Sequence, residues 1–587
     1  MSGSTATISG LIQRKGDFAT LLDALEYAAL GRSGLDFYSV RGELTKALPY
    51  AELAHDARLL AHRLLALGLV RGERVALIAE TTPDFVRAFF ACQYAGLIPA
   101  PLPLPVAFAG RDTYVSHVRR LVTEARASAL LAPEALVGWI APSAGDLDLR
   151  ICGTIASLWD GVAPDQASAH SELPTIGPDD IAYLQFSSGS TRFPRGVVVH
   201  QNALMANAAG ILTHGLDIRP EDRAVSWLPL YHDMGLVGFL LAPMAGQVSV
   251  DLLATQDFVR RPQLWLSLIS RGRGTISYSP SFGYDLCARR ERPAEDSELD
   301  LSCWRIAGIG GDMIRPGVLT GFAEMFAARG FRPEAFLPSY GMAEATLAIS
   351  FAPIDRGFET DLVDLDRLEA DGVAAAPVQP DARVRELVLC GRAIPGHEIE
   401  IRDDLGARLP DRTVGRVFAR GPSLMRGYDG RPDETASVLS PDGWLDTGDV
   451  GYWLDGMLVV AGRAKDLIII NGRNIWPQDI EWTIEQTVPQ VRTGNVAAFS
   501  VEEDGREVLI LAVAARNVSD PAGLERVIAD IGDNVRVQHG LDGRVMLLPP
   551  GALPYTSSGK LSRSATRQLY LAGTLPTASV PDAPALA

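Results

Sequence analysis

A short, mostly apolar run, Ile181–Phe186, empties into Ser187-Ser188-Gly189-Ser190-Thr191-Arg192-Phe193-Pro194-Arg195-Gly196, and Val197–Val199 resumes the apolar pattern on the far side. The flanks predict two buried strands, and the segment between them predicts an exposed turn-rich loop. Small hydroxyl residues and glycines let backbone N–H groups and hydroxyls converge on phosphate oxygens, and Arg192 and Arg195 add charge that suits them. The loop is not of the Walker kind, because G-x-x-x-x-G-K-[ST] occurs nowhere in the chain.

Helix and strand signals alternate along the sequence, which favours an α/β architecture. Leu53, Leu59, Leu60, Leu64 and Leu65 recur at helical spacing, Arg74–Ala79 predicts a buried strand, and Asp84 to Tyr94 predicts a helix closed by Gly96. The Phe351–Arg385 stretch lacks clean periodicity and predicts an insertion or long loop with one short helix near Leu362–Leu368. From Glu386 the pattern turns to short strands: 386–390, 397–402 and 415–419. A boundary is expected near Gly462–Asp466. Beyond it come a strand at Leu467–Ile470, a helix started by Pro477, strands at 495–501 and 507–514, and a helix carrying Leu524, Val527, Ile528 and Ile531. Gly573–Ala587, mostly small residues and prolines, is expected to be disordered.

At 587 residues, three or four compact units are expected. A net charge of −17 argues against a nucleic-acid partner or an anionic membrane surface. No run of 18 apolar residues occurs and no signal peptide is evident, so no integral membrane segment is expected. The dispersed Cys92, Cys152, Cys287, Cys303 and Cys390 suit reduced thiols in a cytoplasmic protein.

Further segments offer chemistry. Tyr340-Gly341-Met342-Ala343-Glu344 gives an aromatic face for a nucleobase and a carboxylate for Mg²⁺. Gly308–Asp312 is a glycine-rich turn whose Asp312 could accept from an adenine amine. Asp449 in Trp444–Asp449 could accept from ribose hydroxyls, with Arg463 nearby. Lys560 follows Thr556-Ser557-Ser558-Gly559 and could reach a reacting phosphate. Tyr231-His232-Asp233-Met234-Gly235 lacks a second ligand at metal spacing and suits the wall of an acyl pocket, with Leu236–Leu241 behind it. Each segment alone is also an ordinary turn, helix start or solvated side chain.

Together these segments resemble the adenylate-forming superfamily of acyl-CoA synthetases, peptide-synthetase adenylation domains and luciferases, from about Thr20 to Leu571. Within it the chain most resembles the fatty acyl-AMP ligases, on 188–192, 228–235, 340–347 and 472–481, with Phe351–Arg385 similar to their insertion. The resemblance implies a large N-terminal domain (1–465) of stacked α/β subdomains plus a β-rich subdomain, and a small mobile α+β C-terminal lid (466–572) hinged at Asp466. It implies that ATP and Mg²⁺ activate a medium- or long-chain fatty acid as acyl-adenylate, which then loads a stand-alone acyl carrier protein. It gives Lys560, Glu344 and His232 catalytic roles and Glu344 the metal. ATP or AMP would contact Ser187, Ser188, Gly189, Ser190, Thr191, Arg195, Gly311, Asp312, Tyr340, Gly341, Met342, Ala343, Asp449, Arg463 and Lys560. Tyr231, His232, Met234 and Gly235 would line the acyl pocket. Arg192 stands where the superfamily usually has glycine, Arg195 where it usually has lysine, and Ala343 where many relatives carry threonine. Gly311-Asp312 departs from the Ala-Glu common in the ligase branch. The alternatives are an acyl-CoA synthetase and a catalytically silent binding protein, the latter disfavoured by having Lys560, Glu344, Asp449 and Arg463 together.

Overall fold

The computed structural model describes residues 11–105, 110–160, 172–187, 194–290, 299–470, 472–503, 506–516, 520–555 and 560–577. The apolar runs read from the sequence become strands of two stacked sheets. Arg74–Ile78, Ile98–Leu102, Ala127–Ala132 and Ile151–Thr154 form an all-parallel sheet, and both strand and helix residues around it are buried, as parallel sheets require. A nine-stranded sheet runs in the order Arg392–Ala393, Ala348–Phe351, Phe336–Gly341, Ile306–Ile309, Ile276–Ser279, Arg223–Ser226, Ser249–Leu253, Gly34–Tyr38 and Leu44–Pro49. Its centre is parallel and its edges antiparallel. Trp265, Trp304, Tyr284, Phe322 and Phe336 interlock edge-to-face beneath it.

The expected helices form at Tyr50–Ala66 and Pro83–Tyr94, with Leu53, Leu60 and Leu64 buried. Strands Ile181–Ser187 and Arg195–His200 pair antiparallel, so the loop between them leaves from the end of a hairpin. The β-rich part is a four-stranded antiparallel sheet of Glu398–Arg402, Gly415–Arg420, Leu445–Leu454 and Met457–Arg463.

The Phe351–Arg385 stretch is more ordered than its composition suggests. Strand Thr360–Asp364 pairs with Val384–Val388, and the helix lies at Leu365–Asp371, three residues later than expected at its start. Val363, Leu365 and Leu368 bury against Tyr452 and Trp476, which lie far along the chain. This segment also touches the C-terminal part: Arg473 donates to Glu369 at 2.5 Å, and Arg385 pairs with Asp479 at 3.0 Å.

Residues from Ile468 onward bury cores of their own. Val491–Glu503, Arg506–Ala515 and Gly543–Leu548 form a mixed sheet carrying helices Pro477–Thr487, Pro521–His539 and Arg563–Leu571. Pro477 does start its helix. The tail expectation needs correction at its start. Leu575 is buried against the sheet, so packing reaches past Gly573, while 578–587 lie outside the described residues. Arg563 spans two acids, donating through Nε and Nη2 to Glu481 and through Nη1 to Asp466, all at 2.7 Å.

His539 closes the Pro521–His539 helix, buried, with Nε2 2.8 Å from the Thr483 hydroxyl. Burial, then the neighbouring Arg383 and Arg473 charges, push its pKa from 6.5 down to about 4. The folded imidazole stays neutral where the unfolded one would gain a proton. Stability is therefore constant above pH 6.5 and falls as pH drops from there toward 4, by roughly 3 kcal/mol from this group. Acid melts should show that loss, and a His539→Asn variant should lack this share of it.

Among the described residues no helix is long and apolar enough to cross a membrane, and no three His, Cys, Asp or Glu side chains gather as a metal cluster. All five cysteines are free thiols.

Candidate active site

A cavity of about 380 Å³ opens where the nine-stranded sheet, the hairpin, the β-rich sheet and the C-terminal part meet. Glu344, Arg463, Lys465 and Lys560 bring charge to its lining, and Ile211, Leu216, Phe239, Leu347 and Phe351 bring apolar surface.

Tyr340 and Gly341 finish strand Phe336–Gly341, which turns back through the short helical turn Ala343–Ala345 to pair with Ala348–Phe351. A Cβ on Gly341 would collide with the Leu347 carbonyl, so the turn needs glycine there. Thr346 adopts φ of 69° and donates to the Ser423 carbonyl at 2.7 Å, which holds the turn. The turn aims the Glu344 carboxylate into the cavity, where the Tyr428 hydroxyl donates to it at 2.9 Å. Burial pushes the Glu344 carboxyl up; the Tyr428 hydroxyl and Arg463 oppose that.

Asp449 lies behind Tyr340. The Tyr340 hydroxyl donates to it at 2.7 Å, and Arg463, its partner on the adjacent strand, sits 3.2 Å away. Burial raises the Asp449 carboxyl, while Arg463, the Tyr340 hydroxyl and Lys560 stabilise its charge. Glu344 lines the cavity, Asp449 stands behind its lining, and the two share Arg463.

Lys560 lines the same space. Its ammonium also favours the charge on Asp233, which is 2.6 Å from His232 Nδ1. Burial works against the Asp233 charge, but His232, Lys560 and the Met234 N–H together hold that carboxyl below its ordinary value.

Most sequence-predicted residues converge here. Ser187, Arg195, Gly311, Tyr340, Gly341, Met342, Ala343, Glu344, Arg463, Lys560, Tyr231, His232 and Met234 all line the cavity. Three do not. Asp449 stands behind Tyr340, bonded to its hydroxyl. Asp312 faces outward and accepts from the Met313 N–H at 2.8 Å. Gly235 is buried against the Pro229 carbonyl, where a Cβ would not fit, so it packs the helix start instead of facing the pocket. Ser188, Gly189, Ser190 and Thr191 lie outside the described residues, as do Thr556–Gly559. Asp466 is held by Arg563.

Several lining residues carried no sequence signal. Gln185 donates to the Tyr231 carbonyl at 2.8 Å, fixing that wall. Tyr428 reaches Glu344 because 427–429 pair with strand Arg195–His200, through Val198 N–H to Gly427 and Asp429 N–H to Gly196. That pairing joins residues more than two hundred positions apart.

Residues 32–429 match the family described as AMP-binding enzyme. The chain is 51% identical over 572 residues, 97% of itself and 98% of the relative, to a Caulobacter vibrioides protein named provisionally as an acyl-CoA synthetase. It is 34% identical over 577 residues, 96% of each chain, to the medium-chain-fatty-acid–[acyl-carrier-protein] ligase JamA of Moorena producens. A solved structure from work on fatty acyl-adenylate ligases of E. coli and L. pneumophila superposes with a TM-score of 0.91 at 44% identity, over 96% of this chain and 99% of the other.

Proposed function

Since the chain belongs to the AMP-binding enzyme family and has the adenylate-forming fold, we propose that it joins a fatty acid to AMP in this cavity and passes the acyl group to the phosphopantetheine thiol of a separate acyl carrier protein. The carrying observation is that Lys560, Glu344, Tyr340 and Arg463, with Asp449 bonded behind Tyr340, share one cavity with the apolar side chains of Ile211, Leu216, Phe239, Leu347 and Phe351. The polar groups suit a nucleotide and the apolar wall suits an aliphatic tail, each buried CH₂ being worth about 0.8 kcal/mol.

In this scheme Tyr340 stacks on adenine, Asp449 and Arg463 hold the ribose, and Ser187 and Arg195 face the phosphates. A carboxylate oxygen of the fatty acid attacks the α-phosphorus; the P–O bond to pyrophosphate breaks and pyrophosphate leaves. Lys560 offsets the negative charge that builds there. The thiol then attacks the acyl carbonyl, its proton is lost, and AMP departs. His232 and Tyr231 bound the acyl carboxyl. The donor set in the cavity fits Mg²⁺: Glu344 offers hard carboxylate oxygens, with no thiolate beside it. When bound, Mg²⁺ neutralises phosphate charge. Residues 466–572 act as a lid turning at Asp466, serving each half-reaction in turn.

A second reading, transfer to coenzyme A, is favoured by the naming of the 51% identical relative. One radiolabelled fatty acid offered coenzyme A and holo-carrier side by side separates them. The carrier should take the label; predominant acyl-CoA would establish the second reading. No acyl-adenylate at all, over a panel of aliphatic acids with Mg-ATP, would remove both.

A further inference from the structure

Arg195 is not merely near the cavity but clamped at its edge. Its Nε lies 2.6 Å from a Glu434 carboxylate oxygen, and its guanidinium carbon sits 4.9 Å over the Tyr428 ring. Glu434 is in turn held by Arg431 at 2.6 Å, and Arg431 grips Glu124 through two further bonds. On the other side, the Tyr428 hydroxyl donates to Glu344. Tyr428 itself is nearly buried, and its N–H donates to the Thr435 hydroxyl at 2.9 Å, so its ring is set by backbone and side chain alike. One tyrosine therefore touches both the Arg195 guanidinium and the Glu344 carboxylate.

An arginine at this position makes such a clamp useful. A guanidinium binds phosphate through a planar fork whose orientation matters, whereas an ammonium acts as a point charge. The Glu434 charge close to Nε and the aromatic ring beside the guanidinium hold it at the cavity edge, where Arg195 is part of the lining.

We propose that Tyr428 and Glu434 are positioning residues for the nucleotide's phosphates: Glu434 and the Tyr428 ring set the Arg195 guanidinium, and the Tyr428 hydroxyl sets the Glu344 carboxylate, so that phosphate cation and metal carboxylate are oriented by one side chain. The proposal rests on the adenylation reading for its ligand and adds two residues which that reading does not use.

Calorimetric titration of the full chain with α,β-methylene ATP, with and without Mg²⁺, and with AMP, tests it. AMP lacks the β- and γ-phosphates and serves as the internal control. Glu434→Gln should weaken the analogue about tenfold with or without Mg²⁺, the size of one charge-assisted contact. Tyr428→Phe keeps the ring and removes a hydroxyl that meets both Glu344 and Arg195, so it should weaken the analogue in both conditions, and about tenfold more when Mg²⁺ is present. Tyr428→Leu should weaken it in both conditions. All three should bind AMP within about twofold of the parent, less than a single hydrogen bond is worth, and melt as the parent does. Parent-like binding of the analogue by Tyr428→Phe and Glu434→Gln would overturn the proposal. So would an equal loss for AMP, which marks a general disturbance of the site. If the parent binds neither nucleotide, the adenylation reading itself falls.

Discussion

Replacing Lys560 by alanine is expected to slow acyl-adenylate formation by about 10²–10³-fold, the effect of removing one preorganised group aimed at developing charge. Lys560 lines the cavity, and its ammonium already stabilises the charges of Asp233 and Asp449. A ligand that brings further negative charge should draw on the same ammonium most strongly as the pentavalent phosphorus forms. The loss should therefore fall on kcat more than on nucleotide affinity. Single-turnover pyrophosphate release measures it. Binding of a preformed acyl-adenylate analogue should survive, because that ligand has no forming bond to stabilise. Adenylation at the parent rate would remove Lys560 from the mechanism.

Asp449→Ala should act in the opposite way, by costing ATP affinity about 10²-fold or more. Its carboxylate is buried, anchored by Tyr340 and Arg463, and in the proposed scheme accepts from both ribose hydroxyls. Charge-assisted hydrogen bonds of this kind contribute roughly 1.5–3 kcal/mol each. The substitution also leaves the Tyr340 hydroxyl and Arg463 without their partner. Calorimetry with ATP and with AMP should register equal losses, since both carry the ribose. Asp449→Asn should fall between parent and alanine. A parent-like AMP affinity in Asp449→Ala would take the ribose away from this carboxylate.

The elements that proved legible were those whose burial pattern is local. Ile181–Ser187 buries four consecutive residues, which its apolar run records, and the Tyr50–Ala66 helix buries one face, which helical periodicity records. Thr360–Asp364 defeated the same reasoning because its pattern is inverted. Asp361 points inward, accepting from Arg412 at 3.1 Å and from the Tyr452 hydroxyl at 2.8 Å, while Leu362 faces solvent. Leu575 packs against a sheet that its own flanks do not announce. The site divides along the same line. Glu344, Asp449 and Lys560 sit in motifs whose residue types state a chemistry. Tyr428, Glu434 and Gln185 act through partners that only the folded backbone supplies, and nothing in their neighbouring sequence encodes those partners.

The Arg563 guanidinium has a mechanical consequence. Two of its three bonds go to Glu481, within the C-terminal part, and the third goes to Asp466, the hinge of the proposed scheme. A swivel about Asp466 would leave the Glu481 pair untouched and load the Asp466 contact, together with Arg473–Glu369 and Arg385–Asp479. In that scheme Arg563 would act as a latch with one fixed jaw and one that can let go. Because Lys560 rides three residues upstream on the same arm, releasing that latch would carry the ammonium away with it.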